Sequence, residues 1–147
     1  MNVTVTGCRD PQMERELVNA TRFFGRFLLS RKMLPNISVE IMMKTTIPDL
    51  GSCAITYYND WYKPREFEIE LRRHRSLKNT LKTLAHEMVH LKQFAKCELN
   101  AEQTRWHRAP INTDDMSYMD YPWEQEANDL EHILYDVYTA YLNIYPT

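Results

Sequence analysis

Residues 76–96 read SLKNTLKTLAHEMVHLKQFAK, and this stretch decides most of what the sequence predicts about the fold. Its apolar side chains recur at intervals of four and three residues, as in a helix that packs one face on a core. They are Leu77, Leu81, Leu84, Met88, Leu91 and Ala95. At about 100° per residue, His86 and His90 lie roughly opposite that stripe. We therefore predict a helix over residues 76–96 that buries one face and presents two histidines on the other.

The same helix carries an H-E-x-x-H motif at residues 86–90. Residues i and i+4 are neighbours on one helix face, so His86 and His90 can direct their imidazoles at a single ion. Zinc takes nitrogen ligands at about 2.0–2.1 Å, and two rings supply half of a tetrahedral site. Glu87 lies one position on, where it can reach a water on the ion and accept its proton as a general base. The motif predicts one zinc ion, with Glu87 as the catalytic residue.

A catalytic zinc site also needs a third protein ligand and an open position. The candidate segment is PWEQEAN, residues 122–128, at the start of the last predicted helix. Glu124 and Glu126 point to nearly opposite sides of a helix, so they cannot both bind one ion. We favour Glu124, with Asn128 one turn beyond it as a group that could orient a ligand. Glu126 and His107 remain alternatives for the third position.

The remaining segments complete an α+β domain. Asp10-Pro11 is a helix start, with Asp10 as the cap, and the apolar spacing that follows predicts a helix to about residue 30. Its stripe is Leu17, Ala20, Phe24, Phe27 and Leu28. Three β-branched or alternating runs predict strands at residues 37–44, 52–58 and 67–71. Short connections between them favour an antiparallel sheet.

The last third of the chain predicts a loop followed by a helix. Residues 102–122 are irregular, and a helix follows from about residue 122 to 144. The apolar stripe of that helix is Ala127, Leu130, Leu134, Val137, Tyr141 and Ile144. The predicted order is therefore helix, three strands, helix, loop, helix.

The length and composition limit the classes of protein to which this chain can belong. A chain of 147 residues and 17.6 kDa is one ordinary domain, residues 1–147. A net charge of −2 argues against a polybasic nucleic-acid binder, so nucleic acid is an unlikely partner. No apolar stretch approaches the roughly 18–20 residues that span a bilayer, and residues 1–10 lack the layout of a secretory signal. Three scattered cysteines are typical of reduced residues, so we expect a cytoplasmic protein that does not bind membranes.

Several of these segments together resemble a known family. HEMVHLKQ at residues 86–93, CEL at 97–99, Trp106 in the loop and YMDYPWEQEA at 118–127 are similar to small zinc metallopeptidases of phages and bacteria. These belong to the wider group of zincins with a glutamate as third ligand, and the likeness covers residues 76–129. It implies a minimal zincin-like fold and places the family's glutamate ligand on Glu124. Cys97 departs from the pattern, because such sequences often carry Gly after the active-site helix.

The resemblance implies a peptide or protein substrate that pairs with an exposed edge strand beside the cleft, either SCAITYY at residues 52–58 or FEIEL at 67–71. His107, Tyr118 or Tyr121 could stabilise the oxyanion, although ordinary loop packing is favoured for each. Likewise, a solvated strand end is favoured over a phosphate contact for the basic residues 72–75.

Two other functions stay open at this point. One is a non-catalytic module in which zinc only pins two helices together. The other is a DNA-associated protease, from a weaker likeness to SprT-like domains, which use a third histidine; here that residue would be His107. Neither the substrate nor the oligomeric state follows from the sequence.

Overall fold

The computed structural model describes residues 1–56 and 63–146. Within them the chain forms three α-helices, a four-stranded sheet and a two-stranded sheet, so the α+β class predicted from the sequence is confirmed. The helices are α1 Pro11–Leu28, α2 Leu77–Ala95 and α3 Pro122–Ile144. The strands are β1 Asn2–Thr6, β2 Ser38–Lys44, β3 Gly51–Ile55, β4 Glu66–Arg72, β5 Arg105–Trp106 and β6 Ala109–Pro110.

The larger sheet is mixed, with the order β1-β2-β4-β3. The predicted antiparallel sheet is wrong for two of its three pairings, because β1–β2 and β2–β4 are parallel and only β3–β4 is antiparallel. The sequence analysis did not predict β1. Since α1 connects β1 to β2, it forms the crossover that a parallel pair needs.

One face of this sheet forms the core. Alternate side chains of β2 and β4 are buried, and the face that they share packs under the helices. They are Val39, Ile41, Met43, Phe67, Ile69 and Leu71. Helix α2 contacts α1, β3, β4 and α3, so it lies at the centre of the molecule.

Because α2 lies at the centre, more of its surface is buried than the sequence predicts. Ser76 caps the helix, its side chain accepting a hydrogen bond from Asn79 N at 3.2 Å. Leu77 of the predicted stripe is exposed, whereas every residue of the segment 87–95 is buried. The helix face that presents the two histidines is itself covered by α3.

The outer helices keep their predicted starts but differ in their buried faces. Asp10 caps α1, its carboxylate accepting from Gln12 N at 2.9 Å. Phe27 in α1 is exposed, as are Val137, Tyr141 and Ile144 at the end of α3. Tyr138, which is not part of the predicted stripe, is fully buried and packs edge-to-face against Phe24 of α1. The end of α3 therefore rests on α1 through Tyr138.

The predicted loop between α2 and α3 contains more structure than expected. Strands β5 and β6 form a small hairpin, and a single 3-10 turn covers Tyr118–Asp120. Residues 57 and 58 of the predicted second strand lie outside the described residues. No helix in the described part of the chain is long and apolar enough to cross a bilayer.

Candidate metal centre

The structure brings His86, His90 and Glu124 together. Nε2 of His86 lies 3.1 Å from Glu124 Oε2, and Nε2 of His90 lies 2.9 Å from Glu124 Oε1. The two Nε2 atoms are 3.2 Å apart. Three potential ligand atoms from two helices thus converge on one point.

These separations suit a tetrahedral metal ion. Ligand atoms at 2.0–2.1 Å from a tetrahedral zinc are about 3.3 Å from one another. The two Nε2 atoms, 3.2 Å apart, lie close to that value, and each is 2.9–3.1 Å from its own oxygen of the Glu124 carboxylate. Two imidazoles and one carboxylate are also a donor set that zinc accepts in catalytic sites. The group is therefore compatible with a metal ion.

Local sequence explains why the three side chains meet. His86 and His90 are one turn apart on α2, and their rings lie 4.9 Å apart between centroids. Glu124 lies in the first turn of α3, where Pro122 starts the helix and the buried Trp123 anchors it. Because α3 packs along α2, its first turn faces the two histidines.

Each histidine is also held on its other ring nitrogen. Nδ1 of His86 lies 3.3 Å from Glu131 Oε2, on the next turns of α3. Nδ1 of His90 lies 2.8 Å from Gln93 Oε1, on its own helix. Asn128, predicted to orient a ligand, lines the neighbouring cavity, but no hydrogen bond joins it to either histidine among the described residues. Gln93 and Glu131 occupy the orienting positions instead.

Charge is concentrated in this group. Burial works against the ionised form of Glu124, but hydrogen bonds from His86 and His90 outweigh it and hold the pKa of Glu124 well below its usual range. Burial likewise lowers the pKa of His86, yet the carboxylates of Glu124 and Glu131 raise that pKa to about 10. Without an ion, the carboxylates thus favour positive charge on the rings, which is the charge that a metal ion would supply.

Glu87 lies beside the ligand group without joining it. Burial raises the pKa of its carboxyl to about 7, against the opposing effect of the neighbouring His90 and His86. Gly51 of β3 passes close to this side chain, and a Cβ built there would lie 3.3 Å from Glu87 Cγ and 2.7 Å from Thr83 Cγ2. The absence of a side chain at Gly51 therefore leaves room for Glu87.

The two alternative third ligands lie elsewhere. Glu126 Oε1 is 2.6 Å from Lys92 Nζ and accepts from Gln93 Nε2 at 3.1 Å. His107 groups with Glu98 and Glu126, not with the two histidines of α2. Lys92 Nζ already lies between the two carboxylates of that second group, 2.8 Å from Glu98. The structure thus separates both alternatives from the first ligand group.

Two adjoining cavities, of about 150 and 310 Å³, open beside the ligands. Glu87, Glu124, Tyr118 and Asp49 line both cavities. Partial burial of the Tyr118 hydroxyl and the nearby Glu124 carboxylate raise the pKa of Tyr118. Tyr121 packs its ring against Trp123 instead, 5.1 Å between centroids. Of the three residues considered for the oxyanion, Tyr118 is the one that lines the cavities.

The candidate edge strands are also distinguished. β4 is paired on both sides, so FEIEL is an interior strand, and β3 is the outer strand next to α2. Two backbone hydrogen bonds flank the β3–β4 ladder, Thr56 N to Glu66 O and Arg72 N to Leu50 O. Because antiparallel pairing alternates, the odd-numbered residues of β3, such as Cys53, direct their N–H and C=O to the outer edge. Cys53 also lines the smaller cavity.

Comparisons of the chain with protein-family models, with curated proteins and with solved structures find no match. The likeness to zincins therefore stays a prediction, and the function has to be inferred from the geometry of the site.

Sequence reasoning missed Gln93 and Glu131, although a signal for each was present. Gln93 follows His90 by three residues and Glu131 follows Glu124 by seven, so each shares a helix face with a predicted ligand. Spacing alone does not single out either residue, because polar residues at helical spacing are also common on solvated faces.

Proposed function

We propose that this protein is a zinc-dependent hydrolase of the metallopeptidase class. The convergence of His86 Nε2, His90 Nε2 and the Glu124 carboxylate carries the proposal: the two nitrogens are 3.2 Å apart, and each lies 2.9–3.1 Å from one of the two Glu124 oxygens. Cavities beside the group leave space for substrate, as a catalytic site requires. The preference for a peptide substrate rests on the resemblance to zincins.

A bound zinc ion would supply Lewis-acid chemistry, lowering the pKa of water and polarising a carbonyl. The chain's own contribution to the proton transfers is Glu87. Its carboxylate accepts a proton from the attacking water and later delivers that proton to the leaving amine nitrogen. Because Glu87 is buried and lines both cavities, it can hold the proton away from bulk solvent between the two steps.

The strand β3 supports the binding of an extended peptide. Its outward N–H and C=O groups can pair with substrate backbone while the scissile bond lies over the ligand group. Tyr118 faces the same cavities, so its hydroxyl can donate to the oxyanion as negative charge develops.

Metal analysis of three proteins tests the ligand assignment. Wild type and Glu126→Ala should retain about one zinc ion per chain after gel filtration, whereas Glu124→Ala should lose it, because a catalytic site needs three protein ligands. Retention by Glu124→Ala together with loss by Glu126→Ala would reverse the assignment. Cobalt(II) absorption spectra should show the same order.

Glu87→Gln separates an enzyme from a structural zinc module. We expect this variant to bind zinc like wild type but to lose hydrolysis of a quenched fluorescent peptide library by about 100-fold or more, since a positioned general base contributes about 10²–10⁴-fold. If neither the wild type nor the variant hydrolyses any peptide while both bind zinc, the ion serves only to join α2 to α3.

A further inference from the structure

The side chain of Gln93 joins His90 to the beginning of α3. It is completely buried, at 0% exposure. Its Nε2 donates to the backbone oxygen of Trp123 at 3.0 Å and to Glu126 Oε1 at 3.1 Å. Its Oε1 lies 2.8 Å from His90 Nδ1. A buried amide with hydrogen bonds at both ends is held in one orientation.

The partners of Gln93 determine which way the amide points. A backbone carbonyl and a carboxylate can only accept hydrogen bonds, so the NH₂ group must face them. Turning the amide over would place its oxygen against the oxygens of Trp123 and Glu126. Oε1 therefore faces His90, and since that oxygen only accepts, the proton in the contact belongs to His90 Nδ1.

A proton on Nδ1 determines which nitrogen of the neutral ring is free to bind a metal ion. A neutral imidazole carries one proton, so a protonated Nδ1 leaves a lone pair on Nε2. Nε2 of His90 is the atom that lies 2.9 Å from Glu124 Oε1 and 3.2 Å from His86 Nε2. In the neutral ring that a metal ion would bind, the lone pair thus points into the candidate ligand group.

We propose that Gln93 is the positioning residue of the candidate metal centre, fixing the tautomer and ring orientation of His90. This inference rests on the metal centre proposed above. Glu126 acts in the same arrangement: Lys92 Nζ holds it at 2.6 Å, and it accepts from the Gln93 amide. The sequence analysis considered Glu126 as a ligand, and the structure instead makes it the anchor of the residue that orients one.

Gln93→Met tests the role directly, because it keeps a buried side chain of similar length and removes the acceptor and both donors. Loss of a group that orients a ligating histidine typically costs 10–100-fold in metal affinity, so we expect the zinc Kd to rise by about that factor. Competition with a chromophoric chelator measures the Kd.

A second measurement reports the tautomer itself. In the zinc-loaded wild type, ¹⁵N-resolved NMR should show the His90 ring proton on Nδ1, protected from exchange with solvent. In zinc-loaded Gln93→Met, which lacks the acceptor, this protection should be lost. A loss of thermal stability alone would move neither the proton nor its protection.

The outcomes test the role of Gln93 separately from the existence of the metal centre. If wild type binds zinc and Gln93→Met binds it equally tightly, or if His90 carries its proton on Nε2, the role of Gln93 is wrong while the metal centre stands. If wild type binds neither zinc nor cobalt(II), the metal centre itself fails, and the positioning role with it.

Discussion

His86 and His90 are supported by chemically different groups. A carboxylate, Glu131, lies against Nδ1 of His86 at 3.3 Å, and a neutral amide, Gln93, lies against Nδ1 of His90 at 2.8 Å. A carboxylate behind a histidine raises the basicity of the ring as a ligand, whereas an amide chiefly orients it. Mutations of Glu131 and of Gln93 should therefore affect their histidines in different ways.

Glu131→Gln tests the carboxylate. The introduced amide can still accept from His86 Nδ1 but no longer carries charge, so we expect the zinc Kd to rise by up to about 10-fold, at the low end of the range for such groups. Isothermal titration with zinc measures the change. Asp129→Asn, an exposed change on the same helix, is the matched control and should leave the Kd unaltered. An unchanged Kd in Glu131→Gln would show that the carboxylate contributes no more than an amide.

At the scale of elements, the end of α2 is strained. Cys97, just after the helix, has φ of 58°, in the left-handed region where a Cβ is unfavourable. This is the position at which the similar zinc peptidases often carry Gly. The departure noted in the sequence thus falls where the backbone conformation favours glycine.

Cys97→Gly should therefore stabilise the protein by about 1 kcal/mol. Glycine relieves the left-handed strain in the folded state, and this gain exceeds the cost of the added freedom of the unfolded chain. For a chain of this length the melting temperature should rise by roughly 2–4 °C. Differential scanning calorimetry measures it. Cys97→Ala removes the thiol but keeps the Cβ and should show no such rise. A Tm of Cys97→Gly at or below that of Cys97→Ala would mean that the strain is absent.

The whole molecule depends on the packing of α3 over α2, and the candidate metal centre lies between these two helices. Unfolding separates His86 and His90 from Glu124, so an ion bound to all three stabilises the folded state by mass action. At a free zinc concentration of about 100 times Kd, this stabilisation is about 2.7 kcal/mol.

Zinc should accordingly raise the Tm of wild type by roughly 5–10 °C, and a chelator should reverse the shift. Glu124→Ala, measured in parallel, should show little change with zinc because the link to α3 is removed. Thermal unfolding followed by far-UV circular dichroism provides the readout. Equal shifts in both proteins would place the bound zinc away from Glu124.

Features that depend on residues close together in the chain can be predicted from the sequence alone. The helical spacing of residues 76–96 predicts α2 to within a residue or two, and the H-E-x-x-H motif places two imidazoles on one face. The helical rotation between Glu124 and Glu126 indicates that only one of them can bind the ion, and the resemblance to zincins favours Glu124. Each of these depends only on residues a few positions apart, for which helix geometry is a sufficient guide.

Other properties depend on segments that are distant in sequence. Neither the parallel pairing of β1 with β2 nor the position of β3 at the outer edge has a local signal, because strand partners are chosen by the packing of whole elements. The contact of Gln93 with Trp123 and the approach of Glu131 to His86 exist only because α3 lies along α2. Sequence alone thus specified which groups could bind a metal ion, and tertiary packing decided which groups orient them, since only packing determines which faces are buried together.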